Sequence, residues 1–146
     1  MRYDFLPPSR IVFGWGRLGE IGSLAATLGR RAFLVCGSRT LETNGTIDEI
    51  ASLLRRDSIE TVRLTTTVRE PEIEDVDRAV NRLQELRGEP DARDFVMGVG
   101  GGAAMDLAKA VAALSTQPGE RRVIDYLEGV GTGRVLEAPP LPVMAV

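Results

Sequence analysis

Gly98-Val99-Gly100-Gly101-Gly102-Ala103-Ala104-Met105-Asp106-Leu107-Ala108-Lys109 is the stretch on which the reading of this chain turns. Asp94-Phe95-Val96-Met97 before it has strand character, and the run after it, to Leu114, is rich in the helix formers Ala and Leu. A strand that breaks into consecutive glycines and resumes as a helix gathers bare backbone N–H groups at one point. They add to the positive end of the helix dipole, and a diphosphate can rest on them. Glycine is needed because a Cβ would hold phosphate oxygens off the backbone, and because such a turn can require a positive φ. Gly98, Gly100 and Ala103 fit the Gly-x-Gly-x-x-Ala form of the dinucleotide fingerprint. The same spacing also serves a tight strand-to-helix turn that binds nothing.

Outward from this turn the chain alternates. Arg10-Ile-Val-Phe13 is predicted as a strand, followed by a turn at Gly14-Trp15-Gly16 and a helix over Arg17–Leu28 that Gly29 stops. Gly14, Gly16 and Gly19 make a second literal fingerprint, but the strand before it is short and no acidic residue closes the next one, so it reads as a structural turn. Arg31 to Gly37 is apolar at consecutive positions, as expected of a parallel strand covered on both faces. A helix is predicted from Thr46, with Thr46 as its cap. Glu60–Thr65 alternates as a strand does, and Ile73, Val76, Val80, Leu83 and Leu86 mark an amphipathic helix. Gly88-Glu-Pro-Asp forms the loop into the strand before the glycine turn. Val123–Leu127 suits one short helix, and Leu141–Val146 reads as a final apolar strand. The order predicts an α/β fold: a Rossmann-like, doubly wound, mostly parallel sheet with helices on both faces. Ligands of such sheets bind beyond the carboxyl ends of the strands, where the loops after Cys36 and Met97 lie.

The 146 residues make one domain, 1–146, by length. A net charge of −3 gives no reason to expect nucleic acid or an anionic membrane as partner. The start lacks the apolar core of a signal peptide and no run is long enough to span a bilayer, so a cytoplasmic protein is expected. Cys36 is the single cysteine and reads as a buried, inert thiol. With no histidine in the chain, imidazole is excluded as base, proton shuttle or metal ligand.

The longer string Gly100-Gly101-Gly102-Ala103-x-x-Asp106-x-Ala108-Lys109 resembles the Gly-Gly-Gly-Ser-x-x-Asp-x-Ala-Lys signature of the iron-containing (group III) alcohol dehydrogenase family, relatives of glycerol dehydrogenase and dehydroquinate synthase. It departs from that signature at Ala103, where the family usually has Ser. Arg10–Gly16, Arg31–Gly37, Glu70-Pro71 and Leu141–Val146 look like the family's amino-terminal domain in the family's order. The resemblance implies the cofactor-binding half of a metal-dependent dehydrogenase that moves hydride between NAD(P)(H) and an alcohol, aldehyde or ketone. In the family a later helical domain supplies one Asp and three His to iron or zinc. This chain holds neither that domain nor any metal ligand set, so no catalytic or metal residue is assigned to it, and alone it is expected to be inactive. Related readings are a maleylacetate reductase-like or dehydroquinate synthase-like half, or a stand-alone nucleotide-binding module.

Carried over by resemblance, Gly100, Gly101, Gly102 and Ala103 would set backbone amides on the pyrophosphate, and Asp106 would point toward the nicotinamide side. Losing the Ser hydroxyl at Ala103 removes one phosphate hydrogen bond, worth about 1 kcal/mol. Many NAD-preferring members have Asp where this chain has Gly37. Without that carboxylate, Ser38 can donate to a 2′-phosphate and Arg39 can pair with it. NADP is therefore the expected coenzyme, with NAD possible. The family also implies a homo-oligomer.

Overall fold

A computed structural model describes residues 8–88 and 93–146. Most of the lead Met1–Pro8, and residues 89–92 of the loop expected at Gly88–Asp91, lie outside the described residues. Four strands form one sheet: β1 (Arg31–Cys36), β2 (Glu60–Thr66), β3 (Asp94–Val99) and β4 (Val143–Ala145). Their order is β2-β1-β3-β4, and every pair is parallel. The α-helices are α1 (Ile21–Ala25), α2 (Arg39–Thr43), α3 (Thr46–Arg56), α4 (Ile73–Arg87) and α5 (Gly102–Leu114).

The two central strands bury both faces, which is why their apolar residues run consecutively rather than alternating. Phe33, Val35 and Val96 pack with Val76, Val80 and Leu83 of α4 and Leu107, Ala108 and Val111 of α5. Leu34, Cys36, Phe95, Met97 and Val99 point the other way, onto Ile21 and Ala25 of α1 and Ile47, Ile50 and Leu54 of α3. Helices on both faces of a parallel sheet match the expected architecture. The chain steps from β1 outward to β2, then returns across β1 to β3 and on to β4, so the winding reverses between β1 and β3. That gap is the topological switch point, where a doubly wound sheet opens a crevice at its carboxyl edge.

Several local expectations differ from what is found. Arg10–Phe13 joins no strand; Ile11 and Phe13 stand exposed, and without a neighbouring ladder an extended segment stays irregular. The helix expected over Arg17–Leu28 is a 3-10 turn at Arg17–Glu20 followed by the short α1. The helix ends at Ala25, ahead of Gly29, where a Cβ would fall 2.1 Å from the Arg93 carbonyl oxygen. Thr46 is the first residue of α3, not its cap: Gly45 holds the capping position at φ 84°, and Asn44 Oδ1 accepts from the Thr46 N–H at 3.0 Å. Val123–Tyr126 is a 3-10 turn within a long excursion from α5 to β4.

The amino ends of the strands carry a buried charge cluster. Asp94, 1% exposed, accepts from Arg31 Nε at 2.8 Å and from Arg87 Nε at 2.7 Å. Arg31 also donates to the Arg87 carbonyl at 3.0 Å. The cluster ties the start of β1, the start of β3 and the end of α4 together, at the edge opposite the switch point.

Candidate coenzyme corner

The carboxyl ends of the strands are joined by a row of backbone hydrogen bonds that extends the ladders by one residue. Thr67 N–H donates to Cys36 O at 2.8 Å, Gly37 N–H to Val99 O at 2.7 Å, and Gly100 N–H to Val146 O at 2.8 Å. The last of these alters one expectation: the Gly100 amide is engaged by the chain itself and is not offered to a ligand. Gly100 serves the corner by its shape. It turns the chain at φ 134°, and a Cβ on it would fall 2.9 Å from the Gly37 Cα.

The next three amides are different. Gly101 caps α5 with extended backbone, and Gly102 and Ala103 open its first turn. No acceptor faces the N–H groups of Gly101, Gly102 and Ala103 among the described residues. Ala104 is the first residue to bond inward, to Gly101 O at 3.1 Å. A Cβ built on Gly101 or Gly102 would meet nothing within 4 Å, so no neighbour requires glycine at either position. Three unsatisfied donors at the start of a 13-residue helix form a shelf for an anion. Gly98 has a separate task. A Cβ there would lie 2.9 Å from the Ala108 Cβ, so its absence lets α5 lie close against β3.

Gly37, Ser38 and Arg39 stand across the gap from the shelf. A Cβ on Gly37 would meet Gly100 Cα, Ala104 Cβ and Val99 O, each at 3.1 Å. Gly37 therefore lies close against the end of β3. Ser38 caps α2, its Oγ accepting from Leu41 N–H at 3.3 Å, which leaves the hydroxyl proton free to donate outward. Arg39 is exposed and has no partner among the described residues. Asp106, on the first turn of α5, is exposed and pairs with Lys109 Nζ at 2.9 Å.

The sequence reading passed over α2 and with it Glu42, whose carboxylate bonds to Thr66 at the end of β2. Five residues are too few to show a helical period; Ser38 ahead of them was the available sign of a helix start. Cys36, buried under the corner, has its thiol pushed up from 9.0 by burial, in keeping with an inert side chain. Among the described residues no three His, Cys, Asp or Glu side chains are grouped to hold a metal ion, and the chain has no histidine, so these residues do not fit a catalytic metal. No described helix is long and apolar enough to cross a membrane. A cavity of about 490 Å³ lined by Gly29, Arg30, Asp57 and Arg93 opens at the amino edge of the sheet, away from the corner.

Known proteins are similar to this chain in sequence and fold. The chain is 35% identical over 114 residues to long-chain-alcohol dehydrogenase 1 of Geobacillus thermodenitrificans, covering 78% of this chain and 27% of that protein. It is 27% identical over 113 residues to NADH-dependent butanol dehydrogenase A of Clostridium acetobutylicum, covering 77% and 28%. Sulfoacetaldehyde reductase from Bifidobacterium kashiwanohense, solved in complex with NAD+, superposes with a TM-score of 0.75 at 26% identity, covering 99% of this chain and 35% of that one. The chain thus spans about a quarter to a third of the length of these relatives. Residues 8–146 match the family described as iron-containing alcohol dehydrogenase, and with the parallel sheet and the glycine turn at its switch point, the chain belongs to that family.

Proposed function

We propose that residues 1–146 are the dinucleotide-binding domain of a metal-dependent alcohol dehydrogenase and hold a nicotinamide coenzyme by its diphosphate on the Gly101–Ala103 amides. The observation that carries this is the set of three N–H groups without acceptors, beside the reversal between β1 and β3. In this reading the chain's task is placement. The helix start neutralises part of the diphosphate charge, and the Gly37–Gly100 contact fixes the floor beneath it. A nicotinamide held there would supply hydride to, or take it from, a small alcohol, aldehyde or ketone. The metal that would polarise that substrate needs ligands from outside these residues, so the 146 residues by themselves do not turn over alcohol.

The coenzyme is NAD(H) or NADP(H). The NADP(H) preference expected from Gly37-Ser38-Arg39 rests on the missing carboxylate at Gly37, a residue that also packs against Gly100. The names of relatives include both NADH- and NADPH-dependent butanol dehydrogenases. Titrating the protein with both reduced coenzymes, followed by nicotinamide fluorescence, tests the reading. Saturable binding that Gly102→Val abolishes without unfolding the chain is expected. Binding by neither coenzyme would refute it.

Two wider features belong to the same reading. The protein works in the cytoplasm, where its free Cys36 stays reduced. It also self-associates. Ile11, Phe13 and Trp15 stand 77%, 93% and 104% exposed at alternate positions, an apolar edge suited to a second copy. Sedimentation of the parent against a Phe13→Ser, Trp15→Ser variant tests this, with a shift to monomer expected in the variant.

A further inference from the structure

A carboxylate stands beside the corner on α2, an element other than the strand end at Gly37. Glu42 lies on α2, with a side chain only 24% exposed. Thr66 Oγ1, at the end of β2, donates to Glu42 Oε1 at 2.5 Å, and Arg63 Nη1 stands 3.9 Å from the same oxygen. The other oxygen, Oε2, has no partner among the described residues. The helix that carries Glu42 is fixed to the corner. Ser38 caps it, and Leu41 Cδ1 lies 3.5 Å from where a Gly100 Cβ would be. Glu42 is thus held between the carboxyl ends of β1 and β2, one strand over from the β1/β3 gap. In doubly wound folds an acidic residue at the end of the strand beside the glycine turn, here β1, accepts from the adenosine ribose, and Glu42 lies on the helix that follows β1.

We infer that Glu42, held by Thr66, accepts from the adenosine ribose hydroxyls of the coenzyme and sets a preference for NAD(H) over NADP(H), an inference that rests on the coenzyme-binding reading above. One oxygen anchored and one open is the arrangement a vicinal diol needs, since an ionised carboxylate is acceptor-only and the diol supplies donors. A 2′-phosphate removes a donor and brings negative charge against that oxygen. Because Thr66 holds Glu42 in place, rotation does not relieve the repulsion. Arg39 and Arg63 are the cations on this side of the corner. Both are solvent-exposed, and salt screens their pull on a 2′-phosphate.

The test compares Kd for NADH and NADPH in the parent protein and in Glu42→Gln, which keeps an acceptor for the Thr66 hydroxyl. The parent is expected to favour NADH, and Glu42→Gln to narrow the NADPH-to-NADH Kd ratio by about tenfold, with NADPH tightening. The parent's discrimination should also shrink as salt rises while the variant's does not, which a purely structural role for Glu42 would not produce. Thr66→Val, which frees the carboxylate without removing its charge, is expected to narrow the ratio only partly. An unchanged ratio in Glu42→Gln with NADH binding intact would overturn the inference and leave the coenzyme site standing, as would a parent that favours NADPH. A parent that binds neither coenzyme would overturn the coenzyme reading itself, and this inference with it.

Discussion

Gly37 and Gly100 meet backbone to backbone: a Cβ on Gly100 would fall 2.9 Å from the Gly37 Cα and 3.2 Å from its nitrogen. The contact joins the ends of β1 and β3 at the point where the winding reverses, and it sets the floor on which the α5 amides stand. It also divides the glycines of this chain by task. Gly98 and Gly100 are demanded by neighbours, whereas Gly101 and Gly102 have open space before them and are demanded only if something comes to fill it.

That division predicts opposite outcomes for adjacent substitutions. Gly100→Ala places a side chain at φ 134° and presses it into Gly37, so a stability loss of about 1–3 kcal/mol is expected, read from the urea midpoint. Gly102→Ala meets no neighbour and begins a helix, so stability should hold or rise by about 0.5 kcal/mol. Its methyl group nevertheless stands over the shelf, and coenzyme affinity should fall about tenfold. Parent-like affinity in Gly102→Ala would remove the shelf from the binding site.

The core was legible in the sequence because burial writes itself locally. Phe33–Cys36 and Phe95–Val99 are continuous apolar runs, and Val76, Val80 and Leu83 recur at helical spacing. What escaped depends on distant partners. Arg10–Phe13 has strand composition but no neighbour to pair with, and α2 is too short to carry a period. That Gly37 packs against the end of β3 is not visible in its own stretch of sequence. The Gly100 amide looks free until Val146, 46 positions later, arrives to accept from it. The glycine turn at the switch point was legible, but the division of labour among its glycines, and the place of Glu42, are matters of contact across the sheet.

The buried cluster at the opposite edge should govern stability without touching the site. Asp94 accepts from two arginines and its side chain is fully buried. Asp94→Asn leaves Arg31 and Arg87 facing a neutral amide, and a loss of about 3 kcal/mol is expected from urea unfolding. Asp94 begins β3 and Gly100 follows its end, a distance of about 20 Å along the strand. Coenzyme affinity of the folded variant should therefore match the parent; a tenfold change would show that the two edges are coupled.

Gln117 closes the excursion between α5 and β4. It is 1% exposed, its Nε2 donates to Ala113 O at 2.8 Å and Ala138 O at 2.9 Å, and its Oε1 accepts from Glu137 N–H at 2.7 Å and Ala138 N–H at 3.1 Å. Gln117→Leu strands buried backbone groups on both sides of the neck, at a cost of about 1–3 kcal/mol. Amide hydrogen exchange should speed up over residues 118–138 and leave β1 and β3 unchanged. Uniform acceleration across the chain would mean that the excursion opens only with the whole domain.

The start of α4 supplies a pH dependence whose sign is fixed by Asp75. Its carboxylate accepts from the Glu72 N–H at 3.0 Å and pairs with Arg78 at 2.7 Å and Arg69 at 2.9 Å. The Glu72 N–H chiefly, with the two arginines, holds the Asp75 carboxyl below its ordinary 3.8. A carboxylate lowered in the folded state contributes stability that is present above the ordinary value and is lost as pH falls through the folded one. Asp75→Asn lacks that contribution at every pH. The stability gap between parent and variant should therefore be level near neutral pH and close as the pH falls below the ordinary carboxylate value of 3.8. The gap is measured from urea midpoints across that range. A gap that stays constant into acid would mean that the cap works through its neutral hydrogen bonds, and that the charge on Asp75 contributes nothing to holding α4.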